Sequence, residues 1–509
     1  MKKLSDQRRN SGMFHWKKIE ENAASSEQNL FIGGRWSDAS HAAYFDDRDP
    51  TTGRLIARIA DAAPDDIDRA ISAAAVAQPD WEDMSPTDRA SVFYRAAELF
   101  TERRDDFVQA LIAETGSTFG KAMYECSLIP VALREAAGLT TREIGEILPS
   151  NVRGRINRTM RRPRGVIGVI SPWNFPLYLS MRGFVYALAL GNTIVLKPSE
   201  DSPVSGGLLL AHLLSDAGFP PGVFNVVTTS REGASRVGAA FVNDRRVAGI
   251  SFTGSTKVGQ QLSAECARRF KPIMLELGGK NSILILEDAN LDHAVDLAFF
   301  GAFLHQGQIC MSTDRVIVAK PIFDEFTDKL VEKVQKFAPC QPQVPHSVIG
   351  PIINDRQLQR IVTLVDEARA AGAIICCGGQ AQPPFYHPTV LTGVTTDMRI
   401  WHEEIFGPVT CVIPADNAEH AIELANDSDY GLTAAIVTND TLAGELLAER
   451  INAGMVHVNA PTVHDEPHCP FSGIGASGGG GKWGPKGAIE AFTVQRWIST
   501  QRRKAALPF

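Results

Sequence analysis

Apolar positions recur along this chain with two different periods, and the point where one gives way to the other divides it. The first 28 residues are polar and mixed in charge, so a flexible extension is expected there. Beyond it, Ser85 followed by Pro86 has the form of a helix N-cap and first helical residue. The Ala/Leu/Phe spacing that continues to Ala113 predicts helices. From about residue 165 short β-branched runs take over, at 166–170, 193–196, 224–227, 250–252 and 283–286. Helically spaced segments lie between several of them, such as 206–217 closed by Gly218, and this alternation predicts an α/β fold with parallel strands. A second series comes later, at 315–319, 323–337 (helix-like) and 433–438. Two α/β domains with open, parallel-type sheets and a cleft between them are the simplest account. The glycine cluster 478–481 is expected to shape a tight loop, because no strand leads into it.

Composition narrows the function. A chain of 509 residues exceeds what one hydrophobic core supports, and 44% hydrophobic with 21% charged residues is ordinary for a globular protein. A formal net charge of -7 gives no overall attraction to nucleic acid or anionic membrane. Arg153, Arg155, Arg158, Arg161, Arg162 and Arg164 form a basic run. With an acidic remainder and no nucleic-acid motif, the run is expected to be an exposed strand or hairpin, solvated or facing another subunit. No apolar stretch approaches the roughly 18 residues of a membrane span, nor does the N-terminus carry a signal-peptide core. A cytoplasmic location, with small molecules or copies of itself as partners, is the expectation. Eight cysteines without a CxxC pair argue against disulfides or a zinc site, so no metal is expected.

Several segments carry chemistry. Strand 250–252 runs into Thr253-Gly254-Ser255-Thr256-Lys257-Val258-Gly259, after which helical spacing resumes. Such a turn lets backbone N–H groups meet a dinucleotide pyrophosphate, although a strand-to-helix turn needs glycine in any case. In Ser171-Pro172-Trp173-Asn174-Phe175-Pro176 two prolines fix the backbone, so Asn174 is either an oxyanion donor or part of a capped loop. Lys197 and Glu200, in Lys197-Pro198-Ser199-Glu200, reach ribose hydroxyls or form a solvated turn. Cys310, in Gln306-Gly307-Gln308-Ile309-Cys310, stands downstream of Glu276 in Glu276-Leu277-Gly278-Gly279-Lys280, pairing a candidate nucleophile with a candidate base.

These motifs, with Glu403-Glu404-Ile405-Phe406-Gly407-Pro408, occur in the order and spacing of the aldehyde dehydrogenase superfamily, which the chain resembles from about 31 to 498. The resemblance implies that Cys310 attacks an aldehyde, that Asn174 and the Cys310 N–H receive the oxyanion, and that Glu276 activates the water that hydrolyses the thioester. It implies NAD as cofactor, with Lys197, Glu200 and Glu404 on ribose hydroxyls, Ser255 on the pyrophosphate and Phe406 near the nicotinamide. Ser171, Trp173, Gly233, Gly254, Gly259 and Leu277 complete the expected cofactor contacts. A carboxylate at 200 disfavours a 2′-phosphate, unless a basic neighbour compensates. The turn 228–233 departs from the more glycine-rich form of relatives, and Ser472 stands where glycine is usual.

The segments 459–468 and 179–182 resemble the branch that acts on benzaldehyde, vanillin and salicylaldehyde. Phe175, Tyr178, Arg182, Ile309, Val463 and Phe471 are accordingly expected at an aromatic substrate pocket, although the aromatic rings serve equally as core. Arg182 more commonly forms a structural ion pair at such a position, and His464 and His468 are expected to satisfy loop hydrogen bonds. The implied division is a flexible extension at 1–28, an NAD-binding domain at 29–145 and 165–277, and a catalytic domain at 278–480. An oligomerisation element with the C-terminal tail, at 146–164 and 481–509, would make a homodimer or a dimer of dimers. The alternatives are an aliphatic or semialdehyde dehydrogenase, a thiol esterase, or a dinucleotide-binding protein without activity.

Overall fold

The computed structural model describes residues 16, 27–142, 145–344 and 346–502. The expected extension at 1–28 lies outside the described residues except for Trp16, Glu27 and Gln28, as do residues 503–509 of the tail.

The first sheet is centred on five parallel strands: β1 (Val166–Ile170), β2 (Thr193–Lys197), β3 (Phe224–Val226), β4 (Val247–Thr253) and β5 (Ile273–Glu276). They are covered on both faces, which is why they read as continuous apolar runs and not as alternating ones. Their spatial order is β5-β4-β1-β2-β3. The chain therefore travels to one side through β2 and β3 and returns to place β4 and β5 on the other side of β1. Where that direction reverses, between β1 and β4, an open α/β sheet leaves a crevice beyond the carboxyl ends of its strands.

The β5 edge is closed by a feature that local sequence signals hide. Gly478–Gly479, expected within a tight loop, is a two-residue strand antiparallel to β5, with Gly478 opposite Glu276. Gly478 has φ 153°, and a Cβ there would lie 2.5 Å from the Leu275 carbonyl oxygen. Only a residue without a side chain lets the strand approach. The chain thus revisits the first sheet within the stretch expected to belong to the second domain.

Helices fall close to their sequence signals. Ser85 Oγ accepts from the Asp88 N–H at 3.1 Å and starts the helix Pro86–Glu102, and Arg104–Thr115 comes next. The segment expected to be helical from 206 begins instead as a π-helical turn, Val204–Leu208, before the α-helix Leu209–Ala217. The Glu114 carboxylate takes the Val204 and Ser205 N–H groups at 2.7 Å each, which fixes how that first turn winds. Four more helices carry or brace the residues around the crevice: α1 (Phe119–Leu139), α2 (Pro176–Ala189), α3 (Thr256–Ala267) after β4, and α4 (Leu291–Phe303). α2 is buried at every residue.

The second sheet has seven strands, among them β6 (Asn281–Ile285), β7 (Thr313–Ala319), β8 (Val409–Ala415) and β9 (Thr433–Val437), in the order β8-β7-β6-β9 at its centre, all parallel. Only residues 277–280 separate β5 from β6, so Glu276 hangs at the seam between the sheets. The basic run is a strand: Arg155–Pro163 pairs antiparallel with Thr493–Gln501 and Gly145–Leu148 to make a third, small sheet.

Candidate active site

Cys310 is presented by a strained turn. After α4 the backbone passes through His305, Gln306 and Gly307, all left-handed at φ 50°, 56° and 67°. A Cβ at Gly307 would sit 2.0 Å from the Gly407 carbonyl oxygen, so that position requires glycine. Gln306 is held by hydrogen bonds, while the buried His305 ring packs edge-on against Phe175, ring centroids 5.8 Å apart. Gln306 Nε2 donates to the Pro351 carbonyl at 2.9 Å, and Gln308 Oε1 accepts from the Ile353 N–H at 3.0 Å. Asn281 Nδ2 donates to the carbonyls of Cys310 and Ser312 at 2.8 Å each, tying the backbone at Cys310 to the start of β6.

Around the sulfur the sequence-predicted trio converges. Cys310 and Glu276 are both buried and close enough that each feels the other's charge. Burial, with Glu276 second, pushes the thiol well up from its ordinary value. Burial also raises Glu276 to about 7, against the pull of Arg182. Asn174 Nδ2 spends one hydrogen on the Gln308 carbonyl at 3.0 Å, leaving its second for the pocket. The Asn174 carbonyl accepts from Lys121 Nζ at 2.8 Å, and Lys121 is paired with Glu125 at 2.6 Å, both side chains fully buried. Glu125 in turn accepts the Tyr178 N–H at 3.0 Å. Lys121, Glu125 and Asn281 carry no sequence signal of their role; the Lys-x-x-x-Glu spacing in α1 looks like a solvated helix pair.

A narrow pocket opens onto Cys310 and Asn174. Phe175, Tyr178, Arg182, Ile309, Val463 and Phe471 all line it, together with Tyr124, Leu128, Leu179, Met311 and Asp465, which sequence reasoning missed. Arg182 is the polar element. Its Nη1 donates to Asp465 Oδ2 at 2.9 Å, its Nη2 lies 3.8 Å from Glu276 Oε2, and its guanidinium lies 3.8 Å over the Phe471 ring. Burial works to lower its pKa, but Asp465 and Glu276 override this and raise it. Arg182 Nη2 and Glu276 Oε1, both buried, have no hydrogen-bond partner, so the gap between them is suited to a bridging water. His464 and His468 sit outside the pocket and face Glu466 at 3.1 and 3.2 Å. Ser472 is buried and turns its hydroxyl to the Gly473 carbonyl at 3.4 Å.

The expected cofactor residues gather at the reversal point of the first sheet. Ser255 is the N-cap residue of α3, is exposed, and makes no capping bond of its own, leaving the helix N-terminus open to an anion. Gly254 precedes it, and a Cβ at Gly259 would lie 2.4 Å from Leu277, so α3 packs directly on that residue. At the β1 end the Ser171 hydroxyl is spent on Ser180 at 2.6 Å, while Trp173 meets Phe406 edge-on, ring centroids 5.4 Å apart. Glu404 accepts the Gly279 N–H at 3.1 Å, and burial pushes it up to about 8. Lys197 Nζ lies 3.3 Å from Glu200, and Arg231 reaches the other Glu200 oxygen at 3.5 Å. Against its burial, Lys197 and then Arg231 draw Glu200 below the usual carboxylate value. Arg231 stands on the atypical turn 228–233, beside Gly233, and sequence reasoning did not connect it to Glu200.

The arrangement is a buried thiol, a carboxyl poised near neutrality, an amide donor and an apolar pocket, with a helix N-terminus that lacks a side-chain cap. The model for the aldehyde dehydrogenase family matches residues 36–498. Benzaldehyde dehydrogenase [NAD(+)] of Pseudomonas putida is 41% identical over 91% of this chain and 94% of its own length. Vanillin dehydrogenase of Pseudomonas fluorescens is 42% identical over 93% of this chain and 97% of its own. Among solved structures, a salicylaldehyde dehydrogenase from Pseudomonas putida G7 complexed with salicylaldehyde superposes with a TM-score of 0.93 at 34% identity, covering 95% of this chain and 100% of that one. The chain belongs to the aldehyde dehydrogenase family.

Proposed function

We propose that this protein oxidises an aromatic aldehyde to its carboxylic acid with NAD. The observation that carries the reading is the apolar, aromatic-lined pocket that ends at Cys310, Asn174 and Glu276. Support comes from relatives named for benzaldehyde, vanillin and salicylaldehyde. The reversal point of the first sheet fits a dinucleotide: its helix terminus is uncapped, its glycines allow close approach, and the carboxylates Glu200 and Glu404 accept hydrogen bonds from hydroxyls. Lys197, Glu200, Ser255, Glu404 and Phe406 would hold it.

The Cys310 sulfur bonds to the aldehyde carbon as its thiol proton passes to Glu276, the acceptor in reach. The oxygen that becomes anionic is met by the free Asn174 amide hydrogen and the Cys310 N–H. NAD, when bound, supplies the acceptor for the hydride that leaves this carbon, so that a thioester remains on Cys310. Glu276 passes the thiol proton to solvent and then takes one from water in the gap beside Arg182; the hydroxide so formed attacks the thioester, and the acid leaves as the Cys310 sulfur recovers the proton from Glu276. Formation of reduced cofactor from substituted benzaldehydes, set against straight-chain aldehydes, tests the reading. Cys310→Ala should abolish it. A preference for aliphatic substrates would overturn the aromatic assignment, and cofactor-free ester cleavage exceeding aldehyde oxidation would overturn the dehydrogenase.

The third sheet supports a homodimer or dimer of dimers, because it turns Ile147, Val494 and Trp497 to solvent at 81, 49 and 67% exposure. Light scattering tests this. A cytoplasmic setting suits a nucleophile that has to stay a reduced thiol.

A further inference from the structure

The loop that supplies Asp465 has two faces. Inward, Asp465 pairs with Arg182 at the back of the aldehyde pocket, and the Pro467 carbonyl accepts the Tyr186 hydroxyl at 2.7 Å. Outward, Glu466, His468 and Cys469 bring a carboxylate oxygen, an imidazole nitrogen and a thiol sulfur within 4.8 Å of one another. A turn closed by the Cys469 N–H on the Glu466 carbonyl at 2.9 Å keeps the three together. His464 Nε2 lies 3.1 Å from one Glu466 oxygen, and His468 Nε2 lies 3.2 Å from the other, so both imidazoles turn to the same carboxylate. Cys469 is the one exposed thiol among the eight cysteines, and none of the eight is in a disulfide.

We propose that His464, Glu466, His468 and Cys469 form a surface site for a borderline-soft divalent cation of the zinc class, distinct from the catalytic centre. Two neutral imidazoles, one carboxylate and one thiolate balance a charge of two. Tetrahedral zinc at about 2.0–2.3 Å from such ligands sets donor atoms about 3.3–3.8 Å apart, near the spacing, within 4.8 Å, of the Glu466, His468 and Cys469 donors, and His464, 3.1 Å from the same carboxylate, would be the fourth ligand. Absence of a CxxC pair excludes thiolate-rich zinc sites; it does not touch this His-x-Glu-x-His-Cys arrangement. Binding draws the Cys469 proton off and pins the outer face of 464–469, so the back wall of the pocket stiffens through Asp465. That last consequence rests on the aldehyde-oxidation reading; cation binding itself does not.

The test uses the untagged full-length chain carrying Cys310→Ala, so that the catalytic thiol cannot compete, titrated with Co2+ as a spectroscopic stand-in for zinc. One equivalent bound per chain, with a thiolate-to-cobalt charge-transfer band, is expected. Cys469→Ser should remove the band, and Cys469→Ser and His468→Ala should each weaken binding about tenfold or more. All of these residues are exposed, so folding is not at risk, and Cys340→Ser serves as a control that changes nothing. No bound cobalt, or a band and affinity indifferent to Cys469→Ser and His468→Ala, would overturn the site. With the site verified, zinc that leaves aldehyde KM unchanged in the wild-type enzyme would overturn only the coupling to the pocket.

Discussion

Replacing Arg182 by methionine removes the guanidinium that lies 3.8 Å from Glu276 while keeping most of the stem that packs on Phe471. Glu276 is a base only when ionised. Burial has already brought it to about 7, and the guanidinium is the largest influence holding it down. Opposite charges about 4 Å apart are worth about 4 kcal/mol at an effective dielectric of 20, or about three pK units at 1.36 kcal/mol each. Water entering the vacated space recovers part of that, so a rise of about one and a half units is the working figure. A raised pKa moves the loss of the carboxylate to higher pH, so the acid limb of hydrolysis shifts upward. At pH 7 the ionised fraction falls from about half to about 3%, a drop in thioester hydrolysis of about fifteenfold. Stopped-flow measurement of reduced cofactor should then show a burst of one equivalent and afterwards slow turnover, and the pH profile of the slow phase gives the shift directly. The double variant Arg182→Met with Asp465→Asn separates causes, because it leaves no unpaired Asp465. If the double variant returns to the wild-type profile, the unpaired Asp465 and not the lost guanidinium is responsible. An acid limb that stays put in folded Arg182→Met refutes the reasoning outright.

Glu276→Gln should slow the first burst of reduced cofactor, because the thiol loses its proton acceptor, and cut steady turnover by about 10²–10⁴, the usual contribution of a general base; undiminished turnover would remove Glu276 from both steps. Glu200→Gln takes away a negative charge and frees Arg231, which stands 3.5 Å away, for a 2′-phosphate. The ratio of kcat/KM with NADP to that with NAD should rise at least about tenfold, and a fixed ratio would mean that selectivity lies elsewhere. Glu125→Ala strands the buried Lys121 ammonium and should cost about 3–5 kcal/mol, seen as a lower urea midpoint. Adding Lys121→Met should recover much of that loss, and an unchanged midpoint in the single variant would contradict the pairing.

What the sequence revealed and what it hid divide along physical lines. Buried parallel strands announce themselves by β-branched runs, and Ser85-Pro86 announces a helix start, because each signal is local. The arginine run was legible as a strand because a run of charges in an acidic chain has to stay at a solvated edge, and residues 155–163, arginines included, pair with 493–501. Gly478–Gly479 gave no such sign: what makes it a strand is the absence of side chains that would collide with Leu275. Arg231 beside Glu200 and Asp465 beside Arg182 are contacts across 31 and 283 residues, set by where turns end in space. Lys121 and Glu125 show the opposite failure, since a pattern that ordinarily marks a wet helix face is here wholly enclosed.

The left-handed turn at His305, Gln306 and Gly307 has a bearing on the protein's life before it is finished. Such a conformation costs about 1–3 kcal/mol for each ordinary residue and persists only under external restraint. The restraints come from segments far along the chain, at Pro351, Ile353 and Gly407, so the turn is enforced only after those segments have been synthesised and docked. A ribosome-bound or partly unravelled copy therefore carries an ordinary cysteine at position 310. Only when those segments have docked does its sulfur come to lie beside Glu276 and Asn174.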